Sequence, residues 1–304
     1  MRPPLPKSPA TYRAQPCLVI IPRPATLTAM RVTFLGTGAG TDTPHRAGSS
    51  ILLTAAGESL LLDCGPRAYD RLIMAGVSPA VISRILLSHL HPDHTLGLAE
   101  FIQAMTFPHG ALPLEIHGPP GTAEFAASMV RAASLVTGMP GRGWGEPLEV
   151  PVHEIPPGDT RESGPFRIRT EQVPHAPNLV CEARRIEAGG RAAVYSGDTT
   201  AAEEIMVPLA DGADLLIHEC YSLAGIERWT AAFEPRRSAA IRAAFERTHA
   251  EISYVARVAR EAGVRTLVLT HLNPGERAEE LLDTAAAGFR GTIVIASDGL
   301  SLAV

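Results

Sequence analysis

The sequence predicts an α/β fold of the αββα sandwich type, two mixed β-sheets flanked by helices, on three observations. The first half carries short runs rich in Val, Ile, Leu and Thr between turn residues, the pattern of strands. The second half opens with three strand-like runs in succession and then alternates helices with strands. No repeat, low-complexity tract or linker separates the halves, so layers of helix, sheet, sheet and helix around a shared core satisfy both.

Taken in order, strands are expected over 32–35, 50–54 and 59–63, the last two joined by the turn 55–58. A helix over 69–75 ends at Gly76, a residue suited to a helix C-terminus. Residues 85–88 form a short buried strand, 114–117 another, and 121–133 a helix after the turn Gly118-Pro119-Pro120. The Gly/Pro-rich stretch 134–151, with Trp144, is expected to be a loop near the cleft mouth. Residues 166–173, 178–186 and 192–196 give three strands of a second sheet, and further strands follow at 215–217, 266–269 and 292–296. A helix is expected over 250–262. Residues 30–304 thus form one domain, and the proline-rich residues 1–29 a flexible N-terminal extension.

Composition excludes several classes of function. The chain has 304 residues, 45% hydrophobic and 19% charged, enough for a sizeable core. Its formal net charge of −5 provides no global basic field for nucleic acid. Lysine occurs once, at Lys7, so a lysine nucleophile or a Walker-type phosphate loop is not expected. The four cysteines, Cys17, Cys64, Cys181 and Cys220, form no C-x-x-C pair, which suggests neither disulfides nor structural zinc and makes a reducing cytoplasm the default. The apolar run 17–21 lies between Pro16 and Pro22, too short for a membrane span or a signal peptide.

Chemistry concentrates in Ser88-His89-Leu90-His91-Pro92-Asp93-His94, directly after the apolar run Ile85-Leu86-Leu87. Imidazole nitrogen and carboxylate oxygen suit zinc and related divalent ions, and clustering of this kind at a strand end is the pattern of a metal site. Other landmarks are Gly36-Thr37-Gly38, Leu61-Leu62-Asp63-Cys64-Gly65, His175, Ser196-Gly197-Asp198-Thr199 and Leu269-Thr270-His271. In motif and order they resemble the metallo-β-lactamase superfamily from Met30 to the C-terminus. The ribonuclease Z and arylsulfatase-like branch is the most similar, because Ile217-His218-Glu219-Cys220 and Thr248-His249-Ala250-Glu251 resemble two of its motifs.

The resemblance implies a dinuclear hydrolase. Its first metal is held by His89, His91 and His175, and its second by Asp93, His94 and His271. Asp198 bridges the two, offsetting the repulsion between dications; Asp198 could equally cap a helix over 199–204. A metal-bridging hydroxide is the implied nucleophile, since bound Zn²⁺ lowers the pKa of water to about 7. Asp93 shares in catalysis as well as ligation. Asp63 is expected to accept a hydrogen bond from a ligand imidazole, and Cys64 to be a small buried residue. His249, oriented by Glu219, is implied as general acid on the leaving group; the alternatives are a helix-capping His249 and an ion-paired Glu219. His45 lies in an early loop within reach of substrate. His109, His117 and His153 have no motif context and are expected to be ordinary strand or surface residues, and Arg184-Arg185 and Arg236-Arg237 solvated faces.

Only 22 residues separate His175 from Asp198, leaving no room for the long basic arm with which ribonuclease Z enzymes clamp transfer RNA. The expected substrate is therefore a small anionic ester: a phosphodiester, a phosphotriester or an aryl sulfate. Alternatives are a lactonase or β-lactamase, a ribonuclease Z-like RNA endonuclease and a non-catalytic metal-binding scaffold. With 33 residues after His271, a helical substrate domain of the glyoxalase II kind does not fit. The cofactors implied are two divalent ions, Zn²⁺ first and Mn²⁺ or Fe as alternatives. Nucleic acid is possible but not favoured, no membrane partner is expected, and a homodimer is implied by the family.

Overall fold

The computed structural model describes residues 30–40, 43, 45–106, 114–137 and 150–304, with the side chains of 104–106 and 133–137 excepted. The expectations for residues 1–29, for His109 and for Trp144 lie outside the described residues. Along the chain, β1 (Arg31–Gly36), β2 (Ser50–Ala55) and β3 (Glu58–Leu62) form an antiparallel meander. The helix α1 (Ala68–Met74) leads to β4 (Ile82–Leu86), which pairs parallel with β3. Next come α2 (Pro92–Thr95), α3 (Gly97–Thr106), β5 (Glu115–Gly118), α4 (Thr122–Thr137) and β6 (Val152–Glu154), with β5 and β6 extending the sheet in parallel.

The second sheet begins as an antiparallel meander of β7 (Thr160–Ser163), β8 (Phe166–Val173), β9 (Cys181–Ala188) and β10 (Arg191–Tyr195). It continues through α5 (Glu203–Ala210) and β11 (Leu215–Glu219), then α6 (Leu223–Thr230), α7 (Pro235–Thr248), α8 (Ile252–Glu261) and β12 (Thr266–Thr270). After these, α9 (Ala278–Gly288) precedes β13 (Thr292–Ile295). β10 to β13 pair in parallel. The last strand, β14 (Ser301–Ala303), crosses back to pair antiparallel with β1 in the first sheet. Among the described residues two seven-stranded mixed sheets result, ordered β14-β1-β2-β3-β4-β5-β6 and β13-β12-β11-β10-β9-β8-β7.

Three apolar clusters define the layers. Phe34, Leu53, Leu62 and Leu86 meet Phe166, Ile186, Tyr195 and Ile217 between the sheets. The alternate residues of the first sheet, among them Leu61, Ile85 and Ile116, pack outward on Leu72, Phe101 and Ala126 of α1, α3 and α4. On the far side Val194, Leu216 and Leu267 pack on α5, α8 and α9. The helix α8 shows why it docks: Ile252, Val255, Ala256 and Ala259 are all buried, at the i, i+3, i+4, i+7 spacing of one helical face.

The architecture matches the expected sandwich, and several local expectations need correction. The strand expected at 85–88 starts at Ile82 and stops at Leu86, because the Ser88 amide is bound by the Asp63 side chain instead of a ladder partner. Asp198 caps no helix: α5 starts at Glu203, with Ala202 preceding it. Nor does His249 cap α8, whose N-terminal amide at Ser253 is held by Glu251; His249 follows the last residue of α7. Arg184 is not part of a solvated face, being fully buried and bonded to Glu182 Oε2 and the Leu87 carbonyl, both at 2.6 Å. Arg185 donates to Glu187 and to the Leu209 and Asp211 carbonyls. No described helix is long and apolar enough to cross a membrane.

Candidate metal centre

Every candidate ligand leaves the carboxyl end of a strand or the loop just beyond it, the rim on which α/β folds place their sites. His89 to His94 follow β4, Asp198 follows β10, Glu219 ends β11 and His271 follows β12. His175 lies two residues past β8. The two rims are tied by backbone bonds. The Glu182 amide donates to Ser88 O at 3.0 Å, and Leu272 N donates to Thr37 O at 2.9 Å. The second contact gives the Gly36-Thr37-Gly38 motif its purpose, since it seats the loop after β1 against the turn bearing His271. Gly65 is required by close approach: a Cβ there would lie 2.2 Å from Asp93 O and 2.5 Å from the Gly48 carbonyl carbon.

All the expected ligands converge. His91 Nδ1 is 3.0 Å from His89 Nε2 and 3.1 Å from His175 Nε2. His94 Nε2 is 3.3 Å from His271 Nε2, which is 3.1 Å from Asp93 Oδ2. Asp198 sits between the two groups, with Oδ1 3.3 Å from His94 Nε2 and Oδ2 3.4 Å from His271, 3.8 Å from His89 and 3.8 Å from His175. His89, His91, His175 and Asp198 could hold one ion, and Asp93, His94, Asp198 and His271 another.

Around them lies a second ring of bonds. Asp63 Oδ2 accepts from His94 Nδ1 at 2.7 Å, Tyr195 OH at 2.6 Å and Ser88 Oγ at 2.9 Å, while Oδ1 accepts from the Ser88 amide at 2.6 Å. His175 donates from Nδ1 to Thr248 O at 2.5 Å. Glu219 holds its Oε2 2.8 Å from His249 Nδ1 and accepts the Thr199 amide at Oε1, 2.7 Å away. The His249 ring lies 4.9 Å from that of His175 and 5.5 Å from that of His271. Asp63 and His271 both take left-handed backbone conformations, φ 58° and 56°, a strain that non-glycine residues keep where a site demands it. Tyr195 and the Gly40 amide, which donates to Asp93 Oδ2 at 2.9 Å, had no sequence signal of their own, although Tyr195 directly precedes the Ser196-Gly197-Asp198 motif. His45 is exposed in the turn between Thr43 and Arg46.

Charge is distributed to receive cations. Burial lowers the pKa of His89 well below the imidazole range, with neighbouring imidazoles adding to the effect, and burial lowers His91, His175 and His249 as well. Burial acts the same way on His94, but Asp198, Asp93 and Asp63 outweigh it and hold His94 well above its usual value. Asp198 and Asp93 are held below the carboxylate range because His271 and His94 outweigh their burial. Glu219 is raised by burial and by Asp198.

The donor set fits a metal pair on its own chemistry. A neutral imidazole has one N–H and one lone pair. His94 and His175 direct their Nδ1–H groups outward to Asp63 and Thr248 O, so their Nε2 atoms face inward at other nitrogens. Asp198 Oδ1 and His271 Nδ1 are buried with no hydrogen-bond partner among the described residues, a costly state. Converging imidazole nitrogens and carboxylates, with His94 and His175 fixed by outer acceptors, are the arrangement of ligands around divalent cations.

The comparisons agree with this geometry. Residues 30–227 match the family model described as "Anti-Pycsar protein Apyc1". The chain is 30% identical over 312 aligned positions to ribonuclease Z of Methanothermobacter thermautotrophicus, covering 87% of this chain and 94% of that one. It is 32% identical to ribonuclease Z of Mycobacterium bovis, with 88% and 96% covered. Among solved structures, the metallo-β-lactamase-fold protein YhfI of Bacillus subtilis superposes with a TM-score of 0.69 at 26% identity, over 90% of this chain and 99% of that one. On these matches and the sandwich that carries the site, the chain belongs to the metallo-β-lactamase superfamily in its ribonuclease Z-like branch, and to the family of the anti-Pycsar protein Apyc1.

Proposed function

We propose that this metal-dependent hydrolase cleaves a phosphodiester in a small anionic substrate, with phosphotriesters and aryl sulfates as chemically adjacent targets. His89, His91, His175 and Asp198 would hold one divalent ion, and Asp93, His94, His271 and Asp198 the second, with the Asp198 carboxylate shared. Ions held there supply Lewis acidity and ionise water near neutral pH, Zn²⁺ being the first choice for such ligands. Asp63 keeps the proton of His94 on Nδ1, so that Nε2 remains a donor to the ion.

The observation that carries the reading is the 2.8 Å contact between His249 Nδ1 and Glu219 Oε2 beside the ligand rings. With Nδ1–H given to the carboxylate, Nε2 is the nitrogen left to deliver a proton to a departing oxygen. Glu219, itself gripped by the Thr199 amide, orients the ring and stabilises its cation. An alkoxide leaving group needs such a donor. Opening a lactone or β-lactam gives this pair no evident task.

A second reading, cleavage of RNA in the manner of ribonuclease Z, is favoured by the identity to enzymes of that name over 94% and 96% of their lengths. Against it stands the connection from β9 to β10, a tight turn through Gly189 and Gly190 with φ of 59° and 76°, which carries no arm, and the negative net charge. The deciding experiment offers zinc-loaded protein a bis-aryl phosphate, an aryl phosphotriester, an aryl sulfate, a lactone, a cephalosporin and a precursor transfer RNA. Preferred turnover of the phosphodiester supports the first reading. Turnover of the RNA alone supports the second, and turnover of none removes both.

A further inference from the structure

We propose that Glu115, His117 and His153 form a second, separate metal site that binds a zinc-class divalent cation and clamps the edge strand β6 to the first sheet. His117 and His153 are register partners on the parallel strands β5 and β6, so their side chains leave the sheet on the same face. That face is the inner one. His117 is in register with Leu86 of the core between the sheets, while the intervening Ile116 packs outward under the helices. Glu115 precedes His117 by two residues and therefore shares its side.

The three groups meet closely. The two rings stack with centroids 4.9 Å apart and planes 29° from parallel. Glu115 Oε2 lies 3.2 Å from His117 Nε2 and 4.0 Å from His153 Nε2, and one ligand atom from each residue falls within 4.8 Å of the others. Two imidazoles and one carboxylate are a borderline-soft set that suits zinc or cobalt better than magnesium or calcium. His117 is nearly buried, whereas Glu115 and His153 are 41% and 43% exposed, so an ion can enter from solvent and keep its remaining positions there. Arg184, whose positive charge would oppose a cation nearby, is matched by Glu182 at 2.6 Å.

The consequence of such a clamp is local. The strand β6 has only three residues and forms the sheet edge. It also carries Glu154, whose Oε1 accepts the Gly121 and Ala123 amides at 2.9 and 3.0 Å at the start of α4. An ion joining β5 to β6 fixes edge strand and helix start together.

The test compares full-length wild type with His153→Ala and Glu115→Gln, both changes at partly exposed side chains. Each protein is stripped, reloaded with zinc chloride, gel-filtered and measured for zinc by mass spectrometry, with hydrolysis of a bis-aryl phosphate as control. His153→Ala is expected to retain one ion fewer per chain than wild type at equal hydrolytic rate, and Glu115→Gln to lose the same ion at a higher free zinc concentration than wild type does. Cobalt(II) loading should show a visible absorption band in wild type that His153→Ala lacks in part. Equal zinc content and identical cobalt spectra in wild type and both variants would overturn the site, whatever the active-centre stoichiometry.

Discussion

Replacing Asp63 by Asn tests the centre through its outer shell, because the change keeps size and removes one acceptor. The carboxylate takes four donations, from the Ser88 amide and Oγ, His94 Nδ1 and Tyr195 OH. An amide has a single acceptor oxygen, so its NH₂ must face either the Ser88 amide, which has no lone pair, or the group of three around Oδ2. Serine and tyrosine hydroxyls can reverse their roles. His94 cannot do so without moving its proton from Nδ1 to Nε2, the nitrogen that faces His271 and Asp198. Loss of such an orienting partner weakens metal binding by about 10–100-fold, or roughly 1.4–2.8 kcal/mol. The assay is a chelator-competition titration resolving two dissociation steps. Asp63→Asn should weaken the ion of the Asp93, His94 and His271 group and leave that of the His89, His91 and His175 group within about 3-fold, well below the outer-shell effect. Tyr195→Phe, which deletes one donor and leaves the His94 proton in place, should keep both steps near wild type. Wild-type affinity for both ions in Asp63→Asn would refute the role given to Asp63.

His249→Ala should slow an alkyl phosphodiester by about 10²–10⁴-fold and an activated aryl ester far less, as read by kcat on both substrates; equal losses would remove the general-acid role. Chelation of the metals should lower the melting temperature by about 5–10 °C, taking roughly 2.7 kcal/mol at a hundredfold excess over Kd and 2–4 °C per kcal/mol, and calorimetry with and without chelator measures it. Gly65→Ala drives a Cβ into the Asp93 carbonyl at 2.2 Å and should cost about 3 kcal/mol by urea midpoint. Arg184→Met strands Glu182, already raised in pKa by its burial, and should cost about 3–5 kcal/mol; the double change with Glu182→Gln should cost less, on the same urea assay.

Local patterns were legible where chemistry is contiguous. The His-rich turn 88–94 stood out by itself, the single residues His175, Asp198 and His271 could be placed because their motifs and order resemble those of the metallo-β-lactamase superfamily, and β8 coincides with the expected 166–173. Short edge strands escaped notice: β6, β7 and β14 have three or four residues, too few to show an alternation. The helix α7 contains no buried residue, so no apolar stripe announces it. The helix-cap alternative for Asp198 stayed open in the sequence since Asp before Thr suits a cap; in the structure α5 begins only at Glu203, and His94 and His271 approach Asp198 from other strands. Tyr195 looked like one more apolar strand residue. Its hydroxyl matters only because β10 lies opposite the end of β3, a relation between the two sheets that periodicity within either cannot contain. The pairing of His117 with His153 was hidden for the same reason, being a matter of register between β5 and β6.

The crossing of β14 to β1 has a consequence for how the molecule is made. Arg31 and Ser301, whose side chains touch across that seam, are 270 positions apart. Bringing two such points together costs on the order of 5 kcal/mol in chain entropy, recovered only when the rest of the sandwich has already gathered them. During synthesis the first sheet therefore waits with one border unhemmed until residues 301–303 have left the ribosome. Folding should end at this seam, and a stalled or prematurely released chain would expose that bare border to other nascent chains.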